Sequence, residues 1–232
     1  MRIQKILSHS LIACAFAGTM SVAVPAAATT LTNTGWLVGS GEGVQVHRGA
    51  TAQNVLAGGF KGNFGDPPPG LLIEFWCYDL DHTFNLGATY GDYNAVGLSG
   101  PGATQLARLF QAGGSRASDA DHSAGFQLAL WNIEYDSDLT VNTGSFFVTG
   151  ATAGAVSYAN SLLADLINHD GSAPSLTGLY SASGHQNFIT PNEVPRECCR
   201  QVPEPPVLPL LLTGLGAAAL VETRRRMRVR GE

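Results

Sequence analysis

Two apolar segments, one near each end of the chain, restrict the part that can fold in water to residues 29–195. The first runs from Ile6 to Val24 after the positively charged Arg2 and Lys5. The second runs from Val207 to Val221 and is shorter than the ~20 residues that cross a bilayer unaided. The stretch between them is long enough for one domain, because domains usually contain roughly 100–200 residues.

The N-terminal segment has the features of a secretory signal. A positive start and an apolar run are followed by the small residues Ala26, Ala27 and Ala28, which predict cleavage before Thr29 and a signal peptide over residues 1–28. An alternative is a lipoprotein cleavage site that ends at Cys14. The apolar run continues past Cys14 to the alanine-rich site, which favours the first interpretation.

Three features follow one another at the C-terminus: a short motif, the apolar segment 207–221 and a basic tail over residues 222–232. The motif is Val202, Pro203, Glu204 and Pro205, and the tail contains Arg224, Arg225 and Arg226. This order resembles the PEP-CTERM sorting tail of Gram-negative surface proteins. The resemblance implies cleavage by an exosortase-type protease after transient anchoring of 207–221 as an inner-membrane helix, with residues 196–206 as linker. Stop-transfer arginines are expected on the cytoplasmic side, so the domain would reach the cell surface or extracellular matrix.

Charge and cysteine usage exclude several classes of function. Residues 29–195 contain four basic and fourteen acidic side chains, a net charge of −10, so nucleic acid is not expected as a partner. The cysteines beyond the signal are Cys77, Cys198 and Cys199, too few for a disulfide scaffold and not spaced for zinc. Cys198 and Cys199 lie in the linker and are compatible with interchain bridges or with a bond from one of them to Cys77.

The domain changes its pattern along the chain. Up to about Thr83 it is strand-like, with alternation at 44–47 and a β-rich run at 71–78. From Ala103 helical spacing predicts three stripes, followed by short returning strands at 146–148 and 179–180. The three stripes are Leu106, Leu109 and Phe110; Phe126, Leu130 and Ile133; and Val156, Ala159, Leu162, Leu163 and Leu166. The predicted class is α+β, a β-rich sheet or small sandwich with two or three inserted helices, flanked by the signal peptide and the C-terminal membrane helix.

Two segments of this domain carry candidate chemistry, Phe75-Trp76-Cys77-Tyr78-Asp79 at the end of a strand and Phe126-Gln127-Leu128-Ala129-Leu130-Trp131 in a helix. Together they resemble the Cys-Gln thioester domains of bacterial surface adhesins. By position, Cys77 matches the thiol, Gln127 the amide and Asp79 the acid, while Ala129 and Trp131 match the helix face behind the amide. Phe126 stands where the pattern prefers threonine.

The resemblance implies that Cys77 and Gln127 form an internal thioester, which Trp76, Tyr78 and Trp131 would shield from water. An outside amine or hydroxyl, on a surface protein or polysaccharide, would open the thioester and attach the protein covalently. This is single-use binding without a cofactor, so no enzyme activity is expected. The alternative is a noncovalent structural or carbohydrate-binding module of the exopolysaccharide layer, in which Cys77 and Gln127 are ordinary core residues.

Other combinations are weaker. Three Asp-x-Asp pairs, at 79/81, 119/121 and 136/138, offer oxygen ligands for calcium, but none has the register of a calcium-binding loop, and we expect no resident metal. His82 and His122 flank the two motif segments and are candidates for proton transfer when the thioester opens. The sequence has no nucleophile elbow and no phosphate-binding loop.

Overall fold

The computed structural model describes residues 28–194 except 67, 68, 137, 173 and 174. The expected signal peptide, the linker with Cys198 and Cys199, the sorting motif, the apolar segment and the basic tail lie outside this part of the chain. The strands are β1 (Thr29–Trp36), β2 (Glu42–Arg48), β3 (Thr51–Ala57), β4 (Phe60–Phe64), β5 (Leu71–Cys77), β6 (Thr89–Gly97), β7 (Phe146–Thr149), β8 (Thr177–Ser181) and β9 (Phe188–Thr190). The helices are α1 (Pro101–Ala112), α2 (Ala120–Tyr135) and α3 (Ala153–Asp165), followed by a 3₁₀ turn at Leu166–Asn168.

Six strands close into an antiparallel barrel in the order β1-β4-β5-β9-β8-β6. Closure occurs because β6 pairs with β1, so that Leu31 lies opposite Tyr90. The α+β class with inserted helices is confirmed. The expected β-rich sheet or small sandwich is, more specifically, a closed barrel beside a three-stranded sheet, and pairing the first and last strands of the barrel leaves it no unpaired edge.

Aromatic side chains fill the barrel interior. Phe60, Phe75 and Phe188 are almost completely buried, and the Phe75 and Phe188 rings meet edge to face with centroids 4.9 Å apart. Tyr93 and Phe84 complete the group, at 5.9 and 5.0 Å from the Phe188 ring. Side chains alternate along β5, so Ile73, Phe75 and Cys77 share the face that contains this group, whereas Trp76 points to the opposite face.

The opposite face of β5 packs against helices. Trp76 meets the rings of Phe110 on α1 and Phe126 on α2 at 5.4 and 5.0 Å. Helix α2 also contacts α3 and a second, three-stranded sheet in the order β3-β2-β7. Every residue of α2 from Ser123 to Asn132 is buried, as expected for a helix surrounded on all sides by protein. This central position allows α2 to present side chains to the barrel.

The periodicity of the sequence predicted the helices well. The apolar stripes fall on α1, α2 and α3, with Leu166 in the 3₁₀ turn that follows α3. The strands β6 and β9 were not predicted, because Gly91 and Asp92 interrupt the first and the second has only three residues. No helix within the described residues is both long enough and apolar enough to cross a membrane.

Candidate functional site

The last residue of β5, Cys77, lies where the barrel ladder is incomplete. On one side β5 pairs with β9, and Cys77 lies opposite Phe188. On the other side its pairing with β4 ends at Phe60 opposite Phe75, two residues before Cys77. A buried backbone N–H and C=O without partners would be costly, so another group has to satisfy those of Cys77.

The carboxamide of Gln127 takes the place of the missing strand. The Cys77 N–H donates to Gln127 Oε1 at 3.0 Å, and Gln127 Nε2 donates to the Cys77 carbonyl at 2.8 Å. Gln127 is fully buried and Cys77 is 6 % exposed. The two hydrogen bonds fix the plane of the amide against the main chain of the cysteine, fifty residues away in sequence.

One turn earlier on α2, the side chain of Ser123 satisfies a backbone N–H of the chain that leads into β4. Ser123 Oγ accepts a 2.8 Å hydrogen bond from the N–H of Gly59, which immediately precedes β4. A Cβ at Gly59 would lie 2.7 Å from the indole of Trp76, so only glycine allows the chain to pass so close to β5. Ser123 and Gln127 are four residues apart and therefore share one face of the helix. This face joins α2 to both strands at the point where they separate.

Burial determines the state of the thiol. Removal from water raises the pKa of Cys77 well above its usual value, and the negative charge of Asp79 raises it further. The thiol is therefore protonated at neutral pH and becomes a nucleophile only when a group removes its proton. The adjacent Gln127 carbonyl is polarised by the Cys77 N–H that donates to it, the arrangement that stabilises an oxyanion when a carbonyl carbon is attacked.

Asp79 fixes the chain that follows Cys77. Its Oδ1 accepts hydrogen bonds from the backbone N–H groups of Asp81 and His82, each at 3.1 Å. Its Oδ2 accepts a 2.7 Å bond from the side chain of Asn187, and Gln186 Nε2 donates to the Asp79 carbonyl at 2.7 Å. The loop after β5 is thus joined to the turn between β8 and β9. Asp79 therefore positions this loop.

The other apolar residues of the thioester pattern are buried on α2 and β5. Ala129 is fully buried inside α2, and Trp131 lies one turn beyond Gln127 and is 1 % exposed. The Nε1–H groups of Trp76 and Trp131 have no hydrogen-bond partner within the described residues. Phe126, which replaces the threonine of the pattern, packs between Trp76 and Phe110 with ring centroids at 5.0 and 4.8 Å. Its side chain therefore belongs to the aromatic packing between α1, α2 and β5.

A cavity of about 230 Å³ adjoins the pair. Both Cys77 and Trp131 line it. Its other walls are aromatic, aliphatic and polar side chains from the barrel, from β3 and from the loop after β5: Trp36, Phe60, Phe84, Val55, Leu56, Leu80, Leu86, Gln53, Asn54, Asp79, His82, Thr83 and Gln186. Leu56 and Leu86 are about half exposed, at 54 % and 48 %, so part of the wall of the cavity lies at the protein surface.

The two candidate histidines differ in their surroundings. His82 lines the cavity with Cys77, whereas His122 lies at the start of α2, packed on Tyr158 with ring centroids 4.2 Å apart. Asp119, from one of the Asp-x-Asp pairs, accepts the N–H of His122 as the N-cap of α2. Within the described residues, no three His, Cys, Asp or Glu side chains are grouped closely enough to hold a metal ion.

Several residues that build the site were not predicted from the sequence. Ser123 carried a usable signal, because it precedes Gln127 by one helical turn. Gln186 and Asn187 carried none, since nothing local to a polar turn indicates that it meets Asp79 more than a hundred residues away. Tyr135, whose hydroxyl accepts the N–H of Leu80 at 2.9 Å, is likewise recognisable only in three dimensions.

The chain matches no family model, and no curated protein or solved structure is significantly similar to it. The interpretation of this site therefore depends on its own geometry.

Proposed function

We propose that this protein attaches covalently to a target through a thioester between Cys77 Sγ and Gln127 Cδ. The observation that carries the proposal is the pair of reciprocal hydrogen bonds that hold the Gln127 carboxamide on the main chain of Cys77, inside the protein and beside a cavity. An ordinary amide resists attack by a thiol. Fixing the two groups together raises their effective concentration by orders of magnitude, up to about 10⁵–10⁸ M in favourable intramolecular cases.

The bond would form by acyl transfer. Sγ attacks Gln127 Cδ, the thiol proton is transferred to Nε2, and the Cδ–Nε2 bond breaks as the nitrogen leaves as ammonia. Opening reverses the roles: the nucleophile of the target bonds to Cδ, the C–S bond breaks and the thiol is regenerated. The product is an amide or ester between Gln127 and the target, so each molecule reacts once.

The hydrogen bonds between Cys77 and Gln127 favour the reaction itself in addition to holding the two residues together. The Cys77 N–H points at the oxygen on which negative charge develops when Cδ becomes tetrahedral. A single donor of this kind is worth about 10²–10³ in rate in acyl-transfer enzymes. Gln127 is completely buried, which limits the access of water that would hydrolyse the thioester.

The cavity supports access by an outside nucleophile, because Cys77 lines it and its rim is exposed at Leu56 and Leu86. Lys61 is the only lysine after the expected signal peptide, so few amines of the chain itself compete for the bond. Both features favour reaction with another molecule over reaction within the chain.

Intact mass of the exported protein tests the proposal. Displacement of the amide nitrogen lowers the mass by about 17 Da relative to the sequence of the processed chain, and methylamine should open the bond, add about 31 Da and expose one thiol. Cys77→Ala and Gln127→Ala should each abolish both changes. Gln111→Ala, which removes a glutamine from α1 instead of α2, should retain them.

The sequence at both ends supports a proposal for location. We infer that the signal peptide directs export, that residues 207–221 hold the chain transiently in the inner membrane, and that an exosortase-type protease releases the domain near Pro203, Glu204 and Pro205 to the cell surface or matrix. Peptide mapping of protein released from the cell surface should recover the domain without the arginine-rich peptides 224–230. Recovery of those peptides at normal abundance would contradict processing.

A noncovalent structural or carbohydrate-binding module of the surface layer is the second candidate. One feature favours it: the cavity combines aromatic rings, including Trp36, with the amide side chains of Gln53 and Asn54, groups that suit a sugar. This candidate replaces the first if the mass of the exported protein equals its sequence mass and Cys77 in the native protein reacts with a thiol reagent.

A further inference from the structure

The histidine in the cavity wall, His82, is held by a carboxylate in a defined orientation. Its ring Nδ1 lies 3.0 Å from Asp79 Oδ1, and its backbone N–H donates to the same oxygen at 3.1 Å. A carboxylate only accepts, so Nδ1 carries the proton and Nε2 keeps its lone pair when the ring is neutral. Nε2 has no hydrogen-bond partner within the described part of the chain, and the side chain is 40 % exposed.

The surroundings of this Asp–His pair keep it in place. Asp79 is itself 15 % exposed and is anchored by Asn187 and Gln186 on the far side of the loop. Asp81, next to His82, forms a 2.7 Å ion pair with Arg48 from β2. The loop that carries the histidine is therefore joined both to the barrel and to the three-stranded sheet, and the ring itself is held by its contact with Asp79.

We propose that His82 is the general base that activates the nucleophile when the thioester opens, and that it extends the range of targets from amines to hydroxyl groups. This inference rests on the proposed Cys77–Gln127 thioester. The structural basis is that one cavity is lined by Cys77 and by a histidine whose second ring nitrogen is oriented, unpaired and accessible.

The step is a proton transfer coupled to acyl transfer. As the oxygen of an alcohol attacks Gln127 Cδ, His82 Nε2 takes the hydroxyl proton. The Cδ–Sγ bond then breaks, and Nε2 gives this proton to the Cys77 thiolate, so the ring returns to its starting state. Asp79 stabilises the transient imidazolium and holds the ring, which makes it a positioning residue.

The nature of the nucleophile decides how much this base matters. A hydroxyl group is a weak nucleophile until its proton is removed, so a positioned base accelerates its attack by about 10²–10⁴. A neutral amine already has a nucleophilic lone pair and can lose its proton to water after the new bond has formed. Loss of the base should therefore affect alcohols far more than amines. A histidine with only a structural role would affect both nucleophiles alike.

His122 provides a matched control. Its Nδ1 also contacts a carboxylate three residues earlier, Asp119, at 2.8 Å, and its side chain is 35 % exposed. It lies at the start of α2 and does not line the cavity. The two histidines thus share their local pairing and exposure and differ in access to Cys77.

The experiment compares opening rates of the exported wild-type protein, His82→Asn and His122→Asn with glycerol and with methylamine, followed by intact mass. Asparagine can still donate to Asp79 but is not a base. We expect His82→Asn to lower the glycerol rate by about 10²-fold or more and the methylamine rate by less than about tenfold. His122→Asn should leave both rates near those of the wild type. His82→Gln serves as a second variant if His82→Asn does not fold.

The possible results distinguish the role of His82 from the existence of the thioester. If the mass of the wild-type protein is not lowered by about 17 Da, both the thioester and the role of His82 are wrong. If the loss is present and the two rates fall equally, or neither falls, only the role of His82 is overturned. A His82 variant that folds normally but never forms the bond would assign the proton transfer to bond formation, and would also overturn the role in opening.

Discussion

Tyr93, on β6, is completely buried inside the barrel, and its hydroxyl donates a 2.6 Å hydrogen bond to the carbonyl of Gln186. Gln186 in turn holds Asp79, so this tyrosine supports the loop after Cys77 from within the barrel. Burial raises the pKa of Tyr93 well above its usual value of 10.0, and the negative charge of Asp92 raises it further. The folded protein therefore keeps this proton at a pH where the unfolded chain loses it.

This shift predicts a loss of stability in alkali. Because the pKa is raised on folding, the contribution of Tyr93 is fully present below pH 10.0 and declines as the pH rises above that value. Tyr93→Phe should lower the free energy of unfolding at pH 7 by about 1–3 kcal/mol, since the Gln186 carbonyl loses its buried partner, and this deficit should shrink above pH 10.

Urea unfolding between pH 7 and pH 11 measures the deficit, in a Cys77→Ala background that removes the thiol and the thioester. Burial also raises the pKa of Tyr135, to about 12, but Tyr135 is present in both proteins and its contribution cancels. A deficit that stays constant over the whole range would contradict the assignment to Tyr93.

Single residues were predictable from the sequence only where a short pattern surrounds them. Cys77 and Gln127 lie in such patterns, and the structure brings them into contact. The contact uses the main chain of Cys77, which a pattern of side chains cannot specify. His82 and His122 were equivalent in the sequence, because each flanks a motif and each follows an aspartate by three residues. Only the cavity distinguishes them.

At the scale of elements, α2 places Gln127 beside Cys77, at the point where β5 is no longer paired with β4. Its position depends on a close approach to α3 at Gly125, where a Cβ would lie 2.5 Å from the carbonyl oxygen of Ala155 and 3.2 Å from the Ala159 nitrogen. Both of these neighbours are backbone atoms, which cannot rotate aside. Gly125 therefore sets the distance between the helices, and thereby the depth at which Gln127 reaches β5.

Gly125→Ala should push α2 and α3 apart. We expect the free energy of unfolding to fall by about 1–3 kcal/mol from overpacking, although alanine favours a helix by about 1 kcal/mol over glycine. Gly102→Ala on α1 is the control, because a Cβ there meets nothing within 4 Å and should leave stability unchanged or slightly raised. Thermal melts of both variants measure the difference. Equal melting temperatures would show that the helix pair can absorb the methyl group.

The elements themselves were predicted to the extent that their periodicity is local. Apolar stripes identify α1, α2 and α3 because each helix buries residues that are spaced three or four positions apart in the sequence. Strand β4 shows where local periodicity stops being informative. Its pairing with β5 begins only at Phe60, because the residue before it, Gly59, passes against Trp76, and Cys77 is left to pair with Gln127. That contact joins β5 to the residue before β4 and has no counterpart in the spacing along either strand.

At the scale of the molecule, the closed barrel could not be predicted, because closure depends on strands far apart in sequence. Strand β1 pairs with β6 about sixty residues later, and β5 pairs with β9 more than a hundred residues later. Nothing in the alternation of β1 or β5 specifies these neighbours. The strand β5 and the helix α2 are also distant in sequence, since β6 and α1 lie between them in the chain.

The proposed thioester would therefore act as a cross-link for the whole domain. It closes a loop of fifty residues and restricts the unfolded chain as a disulfide does, which is worth about 2–4 kcal/mol. Opening the bond with methylamine should lower the melting temperature of the protein by about 4–16 °C for a domain of this size. Cys77→Ala should melt at the lower temperature from the start and should not respond to methylamine. If the wild-type protein incorporates methylamine while its melting temperature stays constant, the folded barrel and α2 already hold the chain without help from the bond, and the cross-link contributes only its chemistry.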